Sequence, residues 1–508
     1  MTAHFDIAII GSGFAGSLLA SIARSLGKSV ILIERGEHPR FTIGESSTPL
    51  ANLLIETLAD RYQLPWLRPF SKWGTWQATY PNIGCGLKRG FSFFHHKAGH
   101  NWSFDPYHNH QLLVAASPSD AIADTHWHRP DFDLFLQSQA VADGAEYTDK
   151  TNLSAPMWDG NSWLLSGTRP SGNFQCRTRW LIDASGPRGY LHRHLNLTET
   201  SFAGFPNTVG LWSHFSNVHR WESLHPQFQG APFPPDDAAL HHHFDGGWMW
   251  ILRFNNGIVS AGFALKEHLA TEVGTHQPEQ AWQKLLNRLP SVRAQFSDAL
   301  SLRPFSIQAP LAFRTGEASG KGWIHLPTAA GFIDPLFSTG FALSLLGIER
   351  LGRWIEGGMN PEGLADCGRE TLADLDTTAD LIAAAYRVMN DPDAFQSVTH
   401  LYLAAASYSE TARRLDRSHL APGFLLRKRP RFYANIQRCF AAAGHSPAPV
   451  LAHQVAETID EVNIAGLADP AKLNWYRAVA ADLLTHAHLL EATPTEISEM
   501  LIKTGFFS

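Results

Sequence analysis

The stretch FDIAIIGSGFAG (residues 5–16), continued by SLLASIARSLG (17–27) and SVILIE (29–34), decides the fold. FDIAII is a short apolar strand. The residues after the glycines repeat their apolar positions at helical spacing, with Gly27 as a stop, and SVILIE is a second buried strand. This βαβ context gives the G-x-G-x-x-G pattern its meaning. Gly11 allows the tight turn, Gly13 lets backbone approach a pyrophosphate, and Gly16 lets helix and strand pack closely. The helix N-terminus offers free N–H groups and the positive end of its dipole to an anion. Glu34 ends the second strand, where a carboxylate accepts from a ribose diol. The expectation is an α/β chain that opens with a Rossmann-like dinucleotide fold.

Bulk composition narrows the partners. The chain has 508 residues, 44% hydrophobic and 17% charged, with a net charge of −6. That length predicts more than one lobe, and the apolar share predicts a globular protein. No broad basic field is present, so nucleic acid is not an expected partner. Cys85, Cys176, Cys367 and Cys439 are widely spaced with no CxxC pair. This argues against a disulfide framework or a zinc site. No leader pattern or long apolar run is visible, and a cytoplasmic protein with no membrane association is expected.

Three later segments favour FAD over NAD. They are HPRFTIGESSTP (38–49), RWLIDASGPRG (179–189) and GWIHLPTAAGFIDPLFSTGFALSLL (322–346). In order and spacing they resemble the flavoprotein hydroxylase superfamily. That likeness implies a glutathione-reductase-type FAD domain with an inserted substrate sheet and a helical C-terminal region. The expected limits are 1–200 for the FAD domain with insertions, 201–310 for the substrate sheet, 311–350 for the return, and 351–508 for helices covering the pocket. No second nucleotide fold is visible, so electrons are expected from a separate NAD(P)H flavin reductase.

The likeness tightens with GCGLKRGFSFFHHKAG (84–99), GGWMWILRFNN (246–256) and GFIDPLFSTG (331–340). Together with HPRFTIGES, over residues 1 to about 350, these resemble flavin-dependent halogenases, most closely the phenol and pyrrole branch. The resemblance implies reduced FAD, O2 and halide as reactants, with a flavin hydroperoxide converting halide to hypohalous acid. Lys88 falls on the family's lysine, which aims that oxidant at an electron-rich ring. The backbone N–H groups of Thr339 and Gly340 would hold the halide. Trp248, Trp250, Phe337, Ser338, Phe93 and His95 would line the tunnel and substrate site. FAD would be met by Gly11, Gly13, Phe14, Ala15, Gly16, Glu34, Arg35, Arg40, Ser46 and Ser47. Later in the chain it would meet Arg129, Asp183, Gly186, Thr328, Asp334 and Phe341. The substrate would be a small aromatic, free or carrier-bound, and a homodimer is admitted. No metal is expected, including at the His241–His243 triplet, where alternation turns the middle ring away.

One branch-specific residue and one departure from the family pattern matter. Phe337 stands where tryptophan-acting members carry a glutamate, which favours a phenol-like ring. Arg253 stands where the W-x-W-x-I-P signature has proline. That replacement motivates an alternative reading, direct hydroxylation of an aromatic by a flavin monooxygenase. A non-catalytic flavin-binding protein is a third class.

Overall fold

The computed structural model describes residues 2–507. Strand β1 (Ala3–Ile10), helix α1 (Phe14–Ser25) and strand β2 (Val30–Ile33) form the expected unit. Every residue of β2 is buried, as a strand covered on both faces must be. Gly27, at φ +74°, ends α1, with Lys28 N–H donating to the Ala23 carbonyl at 3.0 Å. β1 runs parallel to β2 on one side and to strand Gly172–Asp183 on the other, and strand Trp323–His325 follows in parallel. The register sets Ile10 beside Ile33 and Asp183, and Asp183 beside His325. The carboxyl ends of the parallel strands therefore finish level, where open α/β sheets bind ligands.

A second sheet orders strands 208–216, 259–266, 247–253, 239–244, 90–96 and 111–115 side by side. The segments Gly90–His96 and Gln111–Ala115 join it from the N-terminal third, so it draws on more than residues 201–310. Trp475–Tyr476 adds a parallel edge strand from near the C-terminus. Alternation divides its faces. Trp248, Trp250 and Leu252 pack into the cluster shared with the nucleotide fold, whereas Met249 and Ile251 pack with Phe94, Trp221 and Trp282. A short ribbon pairs Cys85–Lys88 with Asp124–Trp127.

The C-terminal region is helical, with long helices Pro361–Arg387 and Pro392–Arg414 followed by Pro430–Ala442, Ala448–Ile459 and Pro494–Thr504. Among the described residues no helix is long and apolar enough to cross a membrane.

Candidate active site

Two adjoining cavities meet at the end of the parallel sheet. The first, about 590 Å³, is lined by Gly11, Glu34, Arg35, Arg40, Ser185 and Arg193 among others. The second, about 380 Å³, runs from Gly13, Phe14 and Ala15 past Ser46, Arg129 and Gly186 to Thr328, Asp334 and Phe341. The three glycines have separable jobs. A Cβ at Gly11 would strike the Ala184 carbonyl, and one at Gly16 would strike the Gly11 carbonyl oxygen. A Cβ at Gly13 would meet only ordinary contacts, with the Arg40, Asp133 and Arg129 side chains. Gly13 also caps α1 without any side-chain hydrogen bond, which leaves first-turn N–H groups facing the cavity.

Glu34 is fixed by Ser12 N–H at 3.0 Å, Gly36 N–H at 2.8 Å and Arg40 at 3.2 Å. Burial raises its pKa, but Arg40 and the two backbone donors outweigh that and hold it below the usual carboxylate value. Arg129 grips Asp133 through two bonds of 2.7 and 2.8 Å and donates to the Gly44 carbonyl at 2.9 Å. Its guanidinium lies over the Phe14 ring at 5.1 Å. Asp133 is thus the pairing partner that holds Arg129 in the cavity wall. These features suit a dinucleotide cofactor of FAD's shape: an anion-ready helix end, a placed carboxylate and two continuous cavities.

At the far end of the larger cavity stands the loop before helix Thr339–Glu356. Phe337 (φ 66°) and Ser338 (φ 55°) are consecutive non-glycine residues in the left-handed region, which costs free energy and marks an imposed geometry. The Tyr402 hydroxyl donates to the Phe337 carbonyl at 2.8 Å, and Ser338 N–H donates to Pro335 O at 3.0 Å. The Phe337 ring stacks on Tyr402 with centroids 4.9 Å apart. The bend delivers the N-terminus of an 18-residue helix to the cavity. A Cβ on Gly340 would meet nothing within 4 Å, so its backbone faces open space. Ser338, Thr339 and Gly340 all line the cavity.

The two tryptophans form the wall opposite. Their ring centroids are 5.7 Å apart. Trp248 Nε1 donates to Asp334 Oδ1 and to the Tyr386 hydroxyl, both at 3.2 Å, and Tyr386 donates to Asp334 Oδ2 at 2.8 Å. Burial pushes Asp334 up to about 7, against the pull of these donors. Arg253 lies on the opposite face of the same strand. It pairs with buried Asp236 at 2.5 Å and donates to the Val218 carbonyl at 2.9 Å and the His219 carbonyl at 2.5 Å. The residue that argued for direct hydroxylation points away from the cavity, and its motive for that reading falls.

Lys88 is the central group. Its side chain is fully buried. Nζ donates to Ser47 O at 2.5 Å, Ser46 Oγ at 3.0 Å and Ser338 Oγ at 3.4 Å, and lies 4.1 Å from the Phe91 ring centroid. Ser338 Oγ also donates to Ser46 Oγ at 3.1 Å. Burial pulls the ammonium down to about 7, with nearby Asp124 opposing. Ser46 and Ser338 line the 380 Å³ cavity. Phe91 and Asp124 line a separate cavity of about 210 Å³ roofed by the C-terminal helices. Lys88 therefore separates two cavities and touches groups of both.

Other expected site residues fall elsewhere. Both Asp183 oxygens are taken locally, by Ser185 N–H at 2.9 Å and Leu191 N–H at 2.7 Å, and the residue lines neither cofactor cavity. It anchors a loop. Ser47 turns its hydroxyl to Thr125 and serves Lys88 through its carbonyl. Phe93 is packed in a ring cluster with His241 and Phe337. His95 sits at a sheet end beside His110 and His243, away from the cavities, because it lies two residues beyond Phe93 on the same face, near the end of its strand. Of the histidine triplet, His241 faces the cavity, whereas His242 turns to His96 on the other face at 2.9 Å. Four groups that the sequence reading passed over, Asn52, Asp124, Tyr386 and Tyr402, surround Lys88 and Trp248. Asp124 carries the one local signal, a carboxylate within the otherwise uncharged run AIADTHWH.

The profile of the tryptophan halogenase family matches residues 122–460. The chain belongs to this family. It is 28% identical to monodechloroaminopyrrolnitrin halogenase PrnC of Pseudomonas fluorescens, over 91% of this chain and 86% of that one. It is 30% identical to tetracycline 7-halogenase of Kitasatospora aureofaciens, over 66% of this chain and 61% of that one. The fold matches halogenase PltM, solved with phloroglucinol and FAD, at a TM-score of 0.84 and 24% identity, over 92% of this chain and 99% of that one. This halogenase is a flavin-dependent enzyme.

Proposed function

We propose that this halogenase installs chlorine or bromine on an electron-rich phenolic or pyrrolic ring, with hypohalous acid passed through Lys88. The observation that carries the reading is the buried Lys88 ammonium, set between a cofactor-sized cavity and a second, mostly apolar one. When bound in reduced form, FAD supplies with O2 and halide the oxidising power for hypohalous acid. Gly13, Phe14 and Ala15 would take its pyrophosphate, Glu34 its ribose, and Thr328 and Phe341 its ring end. The Thr339 and Gly340 N–H groups would hold halide. Trp248 and Trp250 would keep the ring substrate off the flavin. Lys88 donates a hydrogen bond to hypohalous acid and so polarises the O–X bond toward the ring.

Phe337 in place of an acidic residue supports a ring that activates itself. The relatives include enzymes acting on pyrrole held on a peptidyl carrier protein, and a carrier-bound ring falls within the same proposal. A separate NAD(P)H flavin reductase in the cytoplasm would deliver the electrons. No observation now favours the monooxygenase reading. Incubation with FAD, a flavin reductase, NADH, bromide and a panel of phenols tests the proposal. A brominated ring is expected; a ring that gains oxygen and no bromine would refute it.

A further inference from the structure

The 210 Å³ cavity holds an unbalanced polar spot. The ribbon register places Asp124 directly across from Lys88. Asn52 Nδ2 donates to Asp124 Oδ1 at 2.7 Å. The second carboxylate oxygen, Oδ2, is buried with no hydrogen-bond partner, and so is the Asn52 carbonyl oxygen Oδ1. Among the described residues no lysine or arginine forms an ion pair with Asp124. Both residues line the cavity, beside Phe91 and Tyr402. Two buried acceptors without a donor leave a large desolvation cost unmet, and natural interiors rarely tolerate this without cause. The charged groups acting on Asp124 are Lys88, Glu410 and Arg414, and burial dominates, pushing the carboxyl up to about 7. A ligand that brings an X–H donor on a flat apolar ring would meet the unpartnered carboxylate oxygen while its ring fills the space beside Phe91 and Tyr402.

We propose that Asp124 accepts the ring O–H or N–H hydrogen of the substrate in this cavity, so orienting the ring beside Lys88 and restricting substrates to aromatics that carry such a donor. The inference rests on the halogenation reading for its chemistry, not for the contact. In the reaction the O–H proton passes to Asp124 Oδ2 as the ring gains electron density. A ring carbon forms its bond to halogen while the O–X bond of hypohalous acid breaks. The ring hydrogen leaves as a proton and joins the released hydroxide as water. Asp124 then returns its proton to the product oxygen. The sum is ring C–H plus HOX giving ring C–X plus water.

The test is calorimetric binding of phenol, anisole, pyrrole and N-methylpyrrole to the oxidised FAD holoenzyme. Wild type should prefer each donor over its methylated partner by roughly tenfold or more. Asp124→Leu should abolish that preference while leaving anisole affinity within about twofold; Asp124→Asn, which keeps the volume and the Asn52 contact, guards against misfolding. In turnover, the loss in Asp124→Asn should shrink for phenols acidic enough to ionise unaided, as expected of proton acceptance. Equal affinity for phenol and anisole in wild type, or equal weakening of both in the variants, would overturn the inference. Loss of the donor preference in a protein that forms no halogenated product would keep the Asp124 contact and remove the halogenation reading.

Discussion

The nucleotide end and the lysine seam of this halogenase are built in opposite ways. The nucleotide end is local: Gly11, Gly13, Gly16 and Glu34 lie within one βαβ unit, and Ser12 N–H reaches Glu34 across 22 residues. The seam is assembled from afar. Lys88 meets Ser46, Ser47 and Ser338, the last 250 residues away, and faces Asp124 across a ribbon. Local geometry follows from backbone constraints at single glycines. Seam geometry depends on burial, on a strained loop and on hydrogen bonds that only the folded chain brings together. The first should break by collision, and the second by loss of chemistry without loss of fold.

The largest expected effect is at the seam. Lys88→Met keeps most of the buried volume and removes the donor. Halogenation should fall by about 10²- to 10⁴-fold, read as product per turnover, while FAD absorbance stays near wild type. The next effect is on the strand joining the regions. Arg253→Met strands the buried Asp236 carboxylate and should cost about 3 kcal/mol in denaturant unfolding. The products should remain halogenated rather than hydroxylated, because Arg253 faces away from the cavity. A switch to hydroxylated product would restore the monooxygenase reading.

A paired glycine test sharpens the contrast. Gly16→Ala forces a methyl onto the Gly11 carbonyl and should lose roughly 1–3 kcal/mol together with FAD retention. Gly340→Ala meets open space and should fold normally. Its expected effect is a higher KM for halide alone, measured at fixed phenol.

How much was legible in the sequence follows the same divide. The βαβ unit could be read from periodicity and glycine placement, while the sheet insertion and the helical C-terminal region were implied by the family resemblance. Lys88, Trp248 and the 338–340 turn could be located because short motifs carry them in order. Asp124, Asn52, Tyr386 and Tyr402 could not, since each joins the site through tertiary contact and lies in an ordinary strand or helix pattern. Asp183 and His95 were placed at the site by motif neighbourhood. Local hydrogen bonds claim Asp183, and its place near the end of the strand carries His95 past the cavity. Arg253 shows the value of period two: its sequence position pointed to the site, while its face of the strand points away.

The smallest expected effect is a pH dependence. Asp334 titrates near 7 when folded, above its ordinary value of 3.8, so the folded chain binds more protons between those limits. The stability this provides is present at low pH and is lost as pH rises through about 7. Asp334→Asn, neutral at every pH, should show a smaller fall in melting temperature from pH 5 to pH 8 than wild type. Asp124 and Asp236 shift in the same direction but are common to both proteins, and drop out of the difference.

The central claim is that Lys88 divides the place where oxidant forms from the place where the ring waits. A crystal of the FAD complex soaked with bromide and a phenol, measured at the bromine absorption edge, tests it most directly. The account predicts a bromide peak at the Thr339 and Gly340 N–H groups in the cofactor cavity, and the phenol across Lys88 beside Asp124. Bromide and phenol found together on the flavin side of Lys88 would contradict it.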